Sequence, residues 1–121
     1  MTDYQAARRV ATRLAALAEP TRLRVLDRLA QGPLHVGAMA ELLGVPMVNL
    51  SHHLGVMRQA GLLTDEKDGR RVVYRLNPDV FGPGDNGDTL AVLDLDGYKV
   101  RVRKGGAALV PPVRSAKKKK G

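Results

Sequence analysis

The chain has 121 residues, enough for one domain and a tail. Twenty Lys and Arg residues against twelve Asp and Glu give a formal net charge of +8, which favours a polyanionic partner, nucleic acid before a membrane surface. The absence of cysteine excludes disulfides, thiolate metal sites and cysteine nucleophiles. No apolar run is long enough for a membrane span, and the first residues lack the hydrophobic stretch of a signal peptide, so we expect a cytoplasmic protein.

Hydrophobic spacing predicts four helices in the first half of the chain. The first covers residues 5–18, and we expect its apolar face, Val10, Leu14 and Leu17, to pair across a two-fold axis in a homodimer. The second begins at Pro20 and ends at Gly32-Pro33, with Leu23, Leu26, Leu29 and Ala30 directed inward. The third covers about 36–43 and stops at Gly44. The fourth covers about 47–60, with Leu50, Leu54 and Met57 on one face and Gly61 as a left-handed C-cap.

The pattern then changes to alternation. Residues 62–76 form two short β-rich runs around Asp68-Gly69, a type I′ hairpin signal, and residues 89–103 repeat the pattern around Asp96-Gly97. Between them, 82–88 (GPGDNGD) is predicted to be a linker without regular structure, and the lysine-rich end to be a disordered basic tail. These breaks predict a DNA-binding domain over 1–81, a linker and β-hairpin extension over 82–104, and the tail over 105–121.

This order of elements is typical of a winged helix-turn-helix, a mainly α fold with a small β component (α-α-α-α-β-β), here followed by a C-terminal β-hairpin. A supporting helix at 36–43 braces a recognition helix at 47–60, because the major groove of DNA admits one helix. The cationic hairpin beside it, the wing, is placed to meet phosphates. We therefore expect double-stranded DNA as the partner.

The residues from about 17 to 78 resemble the ArsR family of bacterial winged-helix transcriptional repressors. The matching motifs are EPTRLRVL, AELLG, LSHHLGVMRQAGLL and GRRVVYRL, in the family's order and spacing. The resemblance implies a sequence-specific homodimer that binds a short inverted repeat near a promoter, with an inducer that loosens the complex.

The resemblance also assigns site residues. It places base contacts on the outer face of the fourth helix and backbone contacts on the wing. The base-contacting positions are Met47, Asn49, Ser51, His52 and Arg58, and the wing positions are Lys67, Arg70, Arg71 and Arg75. By chemistry, Asn49 can pair with adenine, and Ser51 or His52 suits a base edge or a phosphate.

Three features depart from the family pattern. Pro46-Met47 stands where the family often has Ser-Gln, which removes a capping oxygen and a bidentate base contact. Gly55 lies inside the predicted recognition helix, where glycine is costly. The family's metal-sensing sites need cysteines or a histidine-bearing final helix, whereas no histidine follows residue 78. We therefore predict no metal site and no cofactor, and leave the effector unassigned.

Two other functions remain open from the sequence. A protein-interaction module could retain the fold without binding an operator, and a nonspecific DNA-binding protein could act through the lysine tail. No enzyme is predicted, because no nucleophile elbow, phosphate loop or acid–base constellation is present, and Asp94 and Asp96 suit a turn. Among the histidines, His53 is predicted to be a packed, hydrogen-bonded residue of its helix and not a base contact.

Overall fold

The computed structural model describes residues 3–104, which form four helices and two three-stranded sheets. The predicted winged helix-turn-helix order is confirmed. The helices are α1 (Tyr4–Leu17), α2 (Pro20–Leu29), α3 (Val36–Leu43) and α4 (Met47–Gln59). The strands are β1 (Leu34–His35), β2 (Leu63–Asp68), β3 (Arg71–Leu76), β4 (Phe81–Pro83), β5 (Thr89–Asp94) and β6 (Lys99–Arg103). The predicted tail lies outside the described residues.

Helix α4 is anchored by the three apolar residues that its sequence pattern singled out. Leu50, Leu54 and Met57 are all fully buried, as predicted. Gly44 ends α3 with φ +66 and Gly61 follows α4 with φ +81, a left-handed conformation that costs glycine little. These turns place α4 across α3, and the face of α4 opposite Leu50, Leu54 and Met57 is directed outward.

The inner face of α2 differs from the prediction. Val25 is fully buried and packs with Leu26 and Leu29, whereas Leu23 is 43% exposed. The apolar residues of α2 are compatible with two overlapping stripes, and packing against the neighbouring elements selects the one that includes Val25.

The wing is the antiparallel hairpin of β2 and β3, with β1 on the other side of β3. Asp68 pairs with Arg71, so the connecting loop is Gly69-Arg70. Only Gly69 of these two has a positive φ, +64, which fits a type II′ turn with glycine first. The predicted type I′ turn around Asp68-Gly69 is therefore wrong by one position, because strand pairing extends one residue further.

The second hairpin follows the prediction, but the segment before it does not. Asp96 and Gly97 both have positive φ, +57 and +111, as a type I′ turn requires. The predicted linker 82–88 begins within a strand, since Gly82 pairs with Val92 and Pro83 with Ala91. Proline is tolerated there because β4 is an edge strand of the sheet β4-β5-β6.

The second sheet packs into the same hydrophobic core as the helices. Phe81, Leu93, Leu95 and Val102 are buried in the same cluster as the apolar residues of α1, α2 and α4. The predicted boundary after residue 81 cuts through β4. The 89–103 hairpin forms a sheet of its own with β4. We therefore propose that residues 3–104 fold as one unit.

Candidate DNA-binding surface

The outer face of α4 is free of packing contacts. Since its opposite face is buried through Leu50, Leu54 and Met57, the polar residues are left toward solvent. The positions predicted to contact bases are all exposed: Met47, Asn49, Ser51, His52 and Arg58. The outer face of α4 is thus exposed enough for the helix to enter the major groove of DNA.

Val48 is a surface residue that the sequence interpretation missed. Its side chain is 83% exposed, the highest value among the large hydrophobic residues that the structure exposes. It lies one turn before His52, and Met47 beside it is 54% exposed. The sequence could have predicted this exposure, because position 48 falls outside the buried stripe of Leu50, Leu54 and Met57. An apolar side chain here matches the thymine methyl group, the apolar feature of the major groove.

A groove of about 480 Å³ separates α4 from the wing. It contains two of the predicted base-contacting residues, Met47 and Ser51, and two of the predicted wing residues, Arg70 and Arg71. His35 and Gly37, at the start of α3, form its third side, and no carboxylate lines it. Asn49, His52, Arg58, Lys67 and Arg75 lie outside the groove. The groove therefore lies between the N-terminal half of α4 and the wing, with Ser51, Arg70 and Arg71 among its lining residues and apolar surface from Val36, Met47 and Val72.

The wing arginines differ in their electrostatic surroundings. Nη2 of Arg75 is 2.8 Å from Oε1 of Glu66 on the facing strand. Within residues 3–104, no carboxylate lies within 4.0 Å of the guanidinium of Arg70 or Arg71. Arg70 and Arg71 are therefore the wing arginines whose charge is most available to a phosphate.

Gly55 is a half-buried residue of α4. A Cβ atom at this position would meet no heavy atom within 4 Å. Packing within the protomer does not require glycine there.

His53 connects α4 to the start of α2. Its Nδ1 is buried and lies 3.8 Å from Oε1 of Glu19, the N-cap residue of α2. The backbone amide of Arg22 donates to Glu19 and holds the pKa of that carboxyl below its ordinary value, and the charge of His53 acts in the same direction. His53 is therefore packed in the helix layer as predicted, but the prediction of a hydrogen bond is wrong, since its buried Nδ1 has no hydrogen-bond partner among residues 3–104.

The predicted dimer contact on α1 needs correction. Val10 and Leu17 are buried in the core of the protomer, 6% and 5% exposed, so little of their surface remains for a partner. Leu14 is 42% exposed. The apolar stripe of α1 packs against its own protomer, which leaves Leu14 as the member of the predicted set that can meet a second copy.

The second sheet carries its own paired charges. Arg101 donates to Asp85 at 2.7 Å and Arg103 to Asp88 at 2.7 Å, and these guanidinium groups hold the pKa of both carboxyls below the ordinary range. The basic stripe of β6 is thus largely neutralised, unlike the groove beside α4.

Among residues 3–104, no three His, Asp or Glu side chains come together as a metal-binding group. None of the four helices there has the length and apolar character needed to cross a bilayer.

Comparison with known proteins identifies the fold and the family. Residues 17–66 match a family model described as a helix-turn-helix domain. The HTH-type transcriptional regulator NmtR of Mycobacterium tuberculosis is 46% identical over 74 residues, 61% of this chain and 62% of NmtR. The HTH-type transcriptional regulator Rv2034 of the same organism is 39% identical over 95 residues, 78% of this chain and 82% of that protein.

A solved structure shows the same architecture. It is the homodimeric winged helix-turn-helix DNA-binding domain of Mb0332 from Mycobacterium bovis, described as a possible ArsR-family transcriptional regulator. It superposes with a TM-score of 0.59 at 34% identity, over 65% of this chain and 75% of that one. Together with the exposed recognition helix and its wing, these similarities show that the chain belongs to the ArsR family of winged helix-turn-helix transcriptional regulators.

Proposed function

We propose that the protein is a dimeric repressor that binds a specific duplex operator through α4 and the wing. The observation that carries this proposal is the groove that joins Met47 and Ser51 of α4 to Arg70 and Arg71 of the wing. A helix fits the width of the major groove, and cationic side chains beside it fit the flanking phosphates.

The two parts of the surface have different tasks in this proposal. Asn49 and Val48 carry sequence discrimination, the first through paired hydrogen bonds to adenine and the second through contact with a thymine methyl. Ser51, His52 and Arg58 add contacts along the same helix. Arg70 and Arg71 bind phosphates regardless of sequence, with Lys67 and Arg75 in support.

The dimer is proposed on two grounds. The Mb0332 domain to which this chain is similar is homodimeric. On this chain, α1 presents the half-exposed Leu14 on a surface away from the groove lining. Two copies related by a two-fold axis would place two recognition helices in successive major grooves, and occupancy of the operator would exclude the transcription machinery. No cofactor or metal is part of this proposal, and the inducer is unassigned.

Selection of bound sites from a random duplex pool tests the function. We expect an inverted repeat with half-sites about one helical turn apart. In competition at about 0.15 M salt, the selected site should be preferred over random DNA by on the order of 10³ or more. A nonspecific DNA-binding protein would enrich no site and lose affinity equally on all sequences as salt rises. An interaction module would bind neither.

A further inference from the structure

We infer that His35, together with Arg70, Arg71 and Ser51, forms a subsite for one backbone phosphate of duplex DNA, in which the His35 imidazole is a neutral donor through Nε2. The inference rests on the proposed function, because it names one contact within the proposed DNA surface. It adds a residue that neither the family motifs nor the charge pattern selects.

The hydrogen bonding of His35 determines which ring nitrogen carries the proton. His35 is the N-cap residue of α3, and its Nδ1 accepts a hydrogen bond of 3.2 Å from the backbone amide of Ala38. A nitrogen that accepts has no proton, so the proton of the neutral ring is on Nε2. Within residues 3–104, no group accepts a hydrogen bond from Nε2. The cap therefore fixes the tautomer and leaves one unused donor.

The sheet register brings this donor to the arginines. His35 in β1 pairs with Val73 in β3, and Arg71 lies two residues before Val73 on the same strand. Residues two apart on a strand project from the same face, and so do directly paired residues. His35 and Arg71 thus stand on one side of the wing sheet, the side from which Asp68 and Glu66 also project as the partners of Arg71 and Val73. His35, Arg71 and Ser51 line the groove, whereas these two carboxylates do not.

The polar side chains of the groove favour an anion. They are two guanidinium groups, an imidazole donor and a hydroxyl, with no carboxylate among them, and the rest of the lining is Val36, Gly37, Met47 and Val72. The adjacent face of α4 is the surface proposed to enter the major groove, so the anion in reach is a phosphodiester at the edge of that groove. The arginines contribute charge, whereas the capped imidazole contributes a directed hydrogen bond without charge.

The experiment uses the full chain and the operator obtained by selection, with each phosphate in turn replaced by an uncharged methylphosphonate. The test variant is His35→Asn, whose side-chain oxygen can still cap α3 but which lacks the imidazole Nε2. His35→Ser also retains a capping oxygen. It is used as the test variant if the His35→Asn protein fails to fold. Thermal unfolding verifies the cap in each variant.

We expect His35→Asn to lower operator affinity by on the order of 10-fold, the effect of one hydrogen bond to a charged group. The slope of log K against log salt should not change, because a neutral donor displaces no counterion. Arg71→Ala should instead reduce that slope by about 0.9. At one position, replacing the phosphate by a methylphosphonate should lower the operator affinity of the wild-type protein but hardly change the affinity of His35→Asn. His52→Asn should retain the sensitivity at that phosphate.

Two results would overturn the inference while leaving the proposed function intact. One is wild-type operator affinity in both capped variants. The other is a methylphosphonate profile that is identical in wild type and His35→Asn. Failure of the wild-type chain to select any operator would instead overturn the proposed function itself.

Discussion

The guanidinium of Arg75 forms an ion pair of 2.8 Å with Glu66 across the two strands of the wing. Arg71, four residues earlier on the same strand, has no carboxylate within 4.0 Å among residues 3–104. The two arginines project from the same face of β3. They differ in that the charge of Arg75 is paired with a carboxylate and, within the described part of the chain, the charge of Arg71 is not. Their contributions to DNA binding should differ for that reason.

We expect Arg71→Ala to weaken binding to all duplex sequences alike and to reduce the salt slope by about 0.9, the release of about one counterion. Arg75→Ala should reduce the slope less, because its removal also frees the negative charge of Glu66. Fluorescence anisotropy from low to physiological salt measures both slopes. Equal slope changes, or a change in base preference for Arg71→Ala, would contradict this assignment.

Asn49 is expected to discriminate between bases. Replacing it by alanine removes a bidentate amide contact, so we expect a loss of about 1–3 kcal/mol on the operator and relaxed preference at one base pair of each half-site. Binding to a set of single-substitution operators measures the effect. A uniform loss over every operator variant would show that Asn49 binds backbone rather than a base.

Val48 is expected to contact a thymine methyl group. Deoxyuridine lacks only that methyl, so replacing the contacted thymine should weaken wild-type binding several-fold, in line with about 0.8 kcal/mol for each buried CH₂-sized group. The Val48→Ala variant should bind the two operators with nearly equal affinity. If the variant and the wild type respond identically to every thymine-to-uracil change, Val48 does not touch that methyl.

Leu14 and Leu23 provide a controlled test of the dimer surface. They are exposed to nearly the same extent, 42% and 43%, but lie on α1 and α2 respectively. We expect Leu14→Asp to shift the protein toward monomer in sedimentation experiments, because it places a charge in an apolar contact. Leu23→Asp should leave the assembly unchanged. The reverse outcome would move the interface from α1 to α2.

Truncation tests whether the second sheet belongs to the core. A chain ending at residue 81 loses the buried Leu93 and Leu95, and single buried leucine truncations already cost about 2–5 kcal/mol. Since domain stability is about 5–15 kcal/mol, we expect this chain to lose cooperative unfolding. A chain ending at residue 104 should keep it. Calorimetry on both distinguishes one folded unit from a separable extension.

Much of the fold follows from local pattern. The bounds of α3 and α4, the buried face of α4 and the left-handed Gly44 and Gly61 were all predicted, because helical periodicity and glycine φ preferences act within a few residues. The same holds for the Asp96-Gly97 turn. The exposure of Asn49, Ser51 and His52 also follows, since a helix with one buried face presents the other.

Other features depend on contacts between distant segments. Val10 and Leu17 are apolar in any environment, and only packing assigns them to the protomer core rather than to a partner. Residues 82 and 83 contain a glycine and a proline, yet they form a strand because β5 supplies its pairing partner. The groove between α4 and the wing, and His35 within it, arise from the β1–β3 register. Periodicity in a sequence reports which face of an element is apolar, whereas the partner of that face is decided by the long-range packing that minimises exposed apolar surface.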